Sequence, residues 1–213
     1  MRKHMFIFGA ILAYLLFCSK SCDSPNPEDT TSIEVELGKT KDSIKDEFES
    51  EDLSRKTLRA FETKAKEKLV DFSDYLNLYA GHSLDDTMKN QVRQAISELF
   101  ISDSIIIKMK VLPEANVNNL KLNAFLTSDI FRIYDSVGFR IDSVEVVNHL
   151  SRKADFSYAG ILKFTQSTEV FLSPDNSKII TAHKTVDFSA VKVNRTFGAD
   201  TLQIWKVLLG NIE

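Results

Sequence analysis

Apolar residues recur every third or fourth position at Leu58, Phe61, Ala65, Leu69, Phe72, Leu76 and Tyr79. That spacing lines them along one face of a helix that starts near Leu53. Arg59, Lys64, Lys66, Glu67 and Lys68 fall on the opposite face. Gly81 predicts the stop, as a left-handed C-cap. Ser83 predicts the N-cap of a second helix. Asp85 and Asp86 lie in its first turn, where negative charge suits the helix dipole. Met88, Val92, Ala95, Ile96, Leu99 and Phe100 form its apolar face. The short joint between the two makes them neighbours in space.

Beyond Phe100 the period changes. Residues 104–111 are β-branched and short, as a strand is. Pro113 and Asn116 to Asn119 mark a loop, and Leu122, Phe125 and Leu126 a short helix or turn. Four longer strand-like segments follow: 137–149, 155–172, 178–193 and 201–209. In the second, Phe156, Tyr158, Gly160, Leu162 and Phe164 alternate onto one face. Turn-forming residues separate the segments at 151–153, 173–177 and 194–200, the last with Gly198. Short joints demand antiparallel neighbours, since parallel strands need long crossovers. The fold class predicted is α+β: two N-terminal helices on a curved antiparallel sheet of four to five strands.

The N-terminus changes the picture from fold to address. Arg2 and Lys3 precede 13 uninterrupted apolar residues, Met5 to Phe17. A membrane-spanning helix needs about 20. The run instead fits the apolar core of a signal peptide. A single-pass anchor is the competing reading, opposed by Ser19, Lys20 and Asp23, which end the run early. Both cysteines of the chain, Cys18 and Cys22, stand at this boundary. A disulfide framework for the rest is thereby excluded. The arrangement resembles bacterial lipoprotein signals, in which a cysteine becomes the acylated first residue of the mature chain. Ser21 before Cys22 suits such a signal, and Cys18 is the alternative. Plain cleavage after Ser21 without a lipid remains a third reading. The resemblance implies residence in the cell envelope, lipid-anchored to the outer membrane of a didermic bacterium, on its periplasmic or its outer surface.

Charge then divides the remainder. Residues 23–52 carry 11 acidic and 3 basic side chains, a net of −8. The leader contributes +3, so the overall −3 leaves residues 53–213 at +2. Dense charge with few large apolar groups does not bury enough surface to offset ordering entropy. Residues 23–52 therefore read as a flexible acidic tether, and 53–213 as the domain. Asp23, Glu28 and Asp29 resemble surface-export signals, although a plain hydrophilic spacer explains them equally. No basic cluster of the density needed for nucleic acid occurs.

The order of elements resembles the NTF2-like (cystatin-like α+β) superfamily, and more narrowly its uncharacterised extracytoplasmic bacterial members. Residues 66–77, 91–95, 158–166 and 205–212, the last beginning Trp205-Lys-Val-Leu-Leu, carry the likeness. It implies a sheet curled around the first helix, with a cavity at its mouth. Phe156, Tyr158, Phe164, Phe171, Phe188 and Trp205 are candidate linings for that pocket, or ordinary core.

Candidate chemistry is sparse. The histidines beyond the leader, His82, His149 and His183, show no ligand spacing, so neither a metal site nor a cofactor is expected. No Gly-x-Ser-x-Gly elbow and no glycine-rich phosphate cradle occur. General acid–base residues in a pocket would be Tyr158, His183 and Asp187; the latter two share a strand face, being four residues apart. The expected function is thus a tethered domain that binds a partner protein or small ligand without catalysis. The alternative is a pocket enzyme of the isomerase or dehydratase type. A subunit that forms a homodimer through its open sheet face is a third class.

Overall fold

The computed structural model describes residues 52–81, 83–109, 119–128, 131, 136–173, 176–198 and 200–213. The expectations for the leader, for Cys18 and Cys22, for the tether through residue 51, for His82 and for the loop at 110–118 lie outside the described residues. The architecture is α+β, with the helices first and the sheet after them, as the periodicities predict.

Helix α1 spans Arg55–Ala80. Ser54 caps it from an extended backbone, its Oγ accepting the Thr57 N–H at 3.1 Å. Ala65, Leu69, Phe72 and Leu76 are buried along the predicted stripe. Gly81 ends the helix but is extended (φ −66°, ψ 138°) rather than left-handed. Its N–H closes the last turn onto the carbonyls of Asn77 and Leu78, so no positive φ is required. Helix α2 spans Asp86–Leu99. Its N-cap is Asp85, not Ser83: the carboxylate accepts the Met88 N–H at 2.8 Å and adds charge at the positive end of the helix dipole. Its buried face is narrower than predicted. Ile96 and Leu99 are buried, with Phe100 just beyond, whereas Met88 is largely exposed.

The sheet has six strands in the order β2-β1-β6-β5-β4-β3. Four are long: β3 Ser136–Arg152, β4 Tyr158–Ser173, β5 Asn176–Phe197 and β6 Asp200–Ile212. Each pairs antiparallel with the next, which is the predicted meander. Within the described part of the strand expected over 104–111, only β1, Ile106–Ile107, pairs as a strand; residues 110 and 111 lie outside the described residues. It pairs antiparallel with β2, Leu120–Lys121, but parallel with the end of β6. The all-antiparallel expectation therefore fails at this edge. The chain from Phe100 onward runs beside β6 in the same direction: Ile101 donates to the Leu209 carbonyl at 2.8 Å and Lys108 to that of Ile212 at 2.9 Å. Roughly a hundred residues separate these partners, far more than the dozen or so a parallel crossover needs. The short helix α3, Leu122–Leu126, follows β2 and buries Leu122, Phe125 and Leu126, the three residues that predicted it.

Alternation sets the core. On β4 Tyr158, Gly160, Leu162, Phe164, Gln166, Thr168 and Val170 are buried, and on β5 Val186, Phe188 and Ala190. This face meets α1 in one continuous apolar cluster. Gly160 is needed where the Phe188 ring crosses, because a Cβ there would lie 2.7 Å from that ring. The opposite face carries Lys163, Thr165, Glu169, Thr181, His183 and Thr185, none of them buried.

The free edge of β3 is closed by polar residues of α1. The Asn77 side-chain amide donates to the Phe139 carbonyl (2.8 Å) and accepts the Phe139 N–H (2.6 Å), as a neighbouring strand would. Ser73 donates to the same carbonyl, and the buried Glu62 carboxylate accepts the Leu150 N–H at 3.1 Å. An uncovered edge offers a row of unpaired backbone groups to other chains, and here the helix occupies part of that row. Register shifts in β3 after Asp142 bend the strand along this helix.

Candidate functional site

The β3–β4 hairpin closes on a tightly hydrogen-bonded turn. Lys153 donates its N–H to the Ser157 carbonyl at 2.8 Å, and Phe156 donates to the Lys153 carbonyl at 3.1 Å. Asp155 Oδ1 accepts both the N–H (3.1 Å) and the hydroxyl (2.6 Å) of Ser157. These bonds to Ser157 favour the ionised form and hold the Asp155 carboxyl below its ordinary value. A three-residue loop of this kind ends on a left-handed residue, usually glycine. Here that residue is Phe156, at φ +63°. A side chain in this conformation costs about 1–2 kcal/mol. The ring gains little burial in return, since Phe156 is 60% exposed.

Phe156 forms one wall of a groove of about 330 Å³ between hairpin residues 155–157 and Val191, Lys192, Gln203 and Trp205. Trp205 forms the other aromatic wall. Its ring is held from behind by Tyr158, edge to face with 5.6 Å between centroids. Each groove ring carries a cation. The Arg152 guanidinium lies 4.9 Å from the centroid of Phe156, and Lys192 Nζ lies 5.5 Å from that of Trp205. Arg152 also pairs with Asp52. The Tyr158 hydroxyl accepts the Leu53 N–H at 3.1 Å, so the residues leading into α1 dock beside the groove.

The predicted site residues therefore separate into three groups. Phe156 and Trp205 come together in the groove. Phe164 and Phe188 are core, 2% and 0% exposed, and Tyr158 is buried between core and groove. Phe171 is half-buried near the far end of β4. Phe156 departs from the expected strand face, because the turn interposes a left-handed residue and breaks the alternation before Tyr158.

The three acid–base candidates do not converge. Tyr158 faces the helices, and its hydroxyl is engaged by Leu53. His183 and Asp187 share a face, as their separation requires, but it is the opposite one. His183 Nδ1 lies 3.2 Å from Thr165 Oγ1. Asp187 borders a second groove of about 370 Å³ with Asn148, Ser151, Lys153 and Ser189. Burial, and after it the Glu213 carboxylate, pushes the Asp187 carboxyl up from its ordinary value. Asp187 sits at a register shift between β5 and β6, opposite Gly210, where a Cβ would approach its own to 2.9 Å.

Sequence reasoning missed Glu62, whose carboxylate also lies 3.0 Å from His149 Nδ1. Its signal was present: an acid three residues before Ala65, on the apolar stripe of α1. The cations over Phe156 and Trp205 had no local signal. Among the described residues no three His, Cys, Asp or Glu side chains group as metal ligands, and no helix is long and apolar enough to cross a membrane.

No protein-family model matches the chain, and no curated protein matches it. Two solved structures are similar to it. One is a protein of Novosphingobium aromaticivorans proposed to be a scytalone dehydratase, at 6% identity and a TM-score of 0.35, covering 74% of this chain and 90% of that one. The other is a protein of Kribbella flavida, at 11% identity and a TM-score of 0.38, covering 75% and 95%. Likenesses of this size carry no argument about the activity of this chain.

Proposed function

We propose that the protein is a lipid-tethered, extracytoplasmic NTF2-like binding domain that recognises a partner protein or small ligand in the Phe156–Trp205 groove, without catalysis. The address rests on the short apolar leader and on Cys22, with Cys18 as the alternative acyl acceptor. The binding role rests on one observation above all: Phe156 keeps an exposed ring in a left-handed backbone that glycine would adopt without strain. Strained residues of this kind cluster at ligand clamps and other functional sites. The fold gains only partial burial and the Arg152 contact from this ring, whereas a ligand would cover the rest of it. The division of Tyr158 from His183 and Asp187 across the sheet supports binding over acid–base chemistry, since such groups must meet at one substrate.

Two measurements test the reading. Metabolic labelling with a palmitate analogue should mark the wild-type protein and lose the mark in Cys22→Ser; label that survives in Cys22→Ser and in Cys18→Ser alike refutes a single acylated cysteine. For the groove, Trp205 is the only tryptophan of the chain. Its excitation should be transferred to the neutral apolar probe N-phenyl-1-naphthylamine, saturably in wild type and not in Phe156→Gly. Transfer unchanged in the variant refutes the groove as the binding site.

A further inference from the structure

We propose that the groove binds a saccharide, one pyranose ring lying with a C–H face on Phe156 and its hydroxyls reaching Asp155 and Gln203. This rests on the groove reading above and names the ligand class. The platform comes first. Phe156 presents a flat, largely exposed ring as one wall of the groove. Arg152 stands outside the lining, pairs with Asp52 and stacks on that ring, so it stiffens the platform rather than meeting the ligand. Trp205 is 8% exposed, so only one ring of the groove is open to stacking. A flat aromatic molecule on such a platform would leave its second face in water. A sugar ring keeps hydroxyls there and loses nothing.

The hydrogen-bonding groups come next. Both bonds from Ser157 to Asp155 fall on Oδ1, so Oδ2 is open to a ligand hydroxyl. The exposed Gln203 side-chain amide has no hydrogen-bond partner among the described residues, and it both donates and accepts. A wholly apolar ligand would cover these groups without bonding them, and so bind less well than its area allows. Charge selects neither an anion nor a cation. The lining holds one carboxylate, Asp155, and one ammonium, Lys192, and the ammonium is already engaged over Trp205. What fits is a neutral ligand with an apolar face and a rim of hydroxyls, which describes a pyranose. A space of about 330 Å³ stands at the lower end of small-ligand sites, which run about 300–1,000 Å³.

The test is saturation-transfer NMR on the purified full chain, which reads weak binding proton by proton. The probes are methyl β-D-glucopyranoside, cellobiose, the open-chain polyol sorbitol, and indole. Both sugars should be saturated, most strongly at the C–H protons of one ring face. Sorbitol has the hydroxyls but no ring face, and should bind at least about ten-fold more weakly than cellobiose. Phe156→Gly should abolish the transfer in a protein that stays folded, and Phe156→Tyr should keep it. Gln203→Ala should weaken cellobiose about three- to ten-fold, the size of one hydrogen bond. Sorbitol saturated as strongly as cellobiose overturns the proposal, as does no saturation of either sugar. Cellobiose binding that survives in both Phe156→Gly and Gln203→Ala places the sugar elsewhere and also overturns it. Indole preferred to both sugars makes the occupant a flat aromatic, and the proposal is wrong. If N-phenyl-1-naphthylamine binds through Phe156 while neither sugar does, the ligand class fails and the groove stands; if none of them binds, both fail.

Discussion

Phe156 and Tyr158 stand two residues apart, at the same phase of a strand alternation, and their fates are opposite. Tyr158 is enclosed by α1's entry segment and Trp205, and its one polar atom is satisfied by Leu53. Phe156 protrudes from a strained turn under a guanidinium. The same contrast holds between the middle of the sheet, where helix α1 covers the apolar face, and the hairpin end, where a groove remains. The two aromatics thus serve different purposes, because Tyr158 opens β4 on its inward face whereas Phe156 holds a left-handed position in the turn before it.

Substitutions sharpen the contrast in order of expected size. Phe188→Ala removes a fully buried ring from the covered region and should cost about 3–5 kcal/mol in urea unfolding; a loss below about 1 kcal/mol would show that the middle of the sheet is loosely packed. Tyr158→Phe strips only the hydroxyl that accepts the Leu53 N–H. It should cost about 1 kcal/mol, with faster amide exchange at the start of α1. Phe156→Gly should move the other way, gaining about 1 kcal/mol by relieving the left-handed side chain. Stability lost on that change would mean that the ring packs as core, and the contrast would collapse.

The smallest effect is a pH dependence on the face away from the helices. The Asp187 carboxyl is pushed up, so the folded state holds its proton more tightly than the unfolded chain does. As pH rises from the ordinary carboxylate range through the raised value, the folded state loses stability relative to the unfolded one. Asp187→Asn lacks this step. The variant's melting temperature should gain on wild type as pH rises from the ordinary carboxylate range through the raised value, and hold that gain above it. A difference that does not vary with pH would dissociate the shift from this carboxyl.

Much of this was legible in the sequence for local reasons. The α1 stripe from Leu58 to Tyr79 follows one turn geometry, and the four long strands are bounded by turn residues. Leu122, Phe125 and Leu126 marked α3 by spacing alone. The failures are as instructive. The sequence predicts a left-handed Gly81 because glycine often ends helices that way, yet the last turn finds its bonds in an extended conformation. Ser83 lost the cap to Asp85, two residues nearer the helix. Of the described residues in the strand expected over 104–111, only two pair as a strand, because that pairing depends on β6, roughly a hundred positions away. The alternation predicts Phe156 as a strand residue because it does not register a turn that interposes a left-handed position.

By itself, then, the order of residues determined the helices, the meander, the inward side of β4 from Tyr158 to Phe164, and the short apolar leader with its two cysteines. These follow from backbone periods of 3.6 and 2 and from segment length, which neighbouring residues impose on one another. Only the tertiary structure decided that α1 would seal the β3 edge, that Tyr158 would be parted from His183 and Asp187, and that Phe156 and Trp205 would face one groove beneath two cations. Those outcomes depend on which distant surfaces meet, and residues 49 positions apart in sequence, such as Phe156 and Trp205, carry no local mark of that meeting.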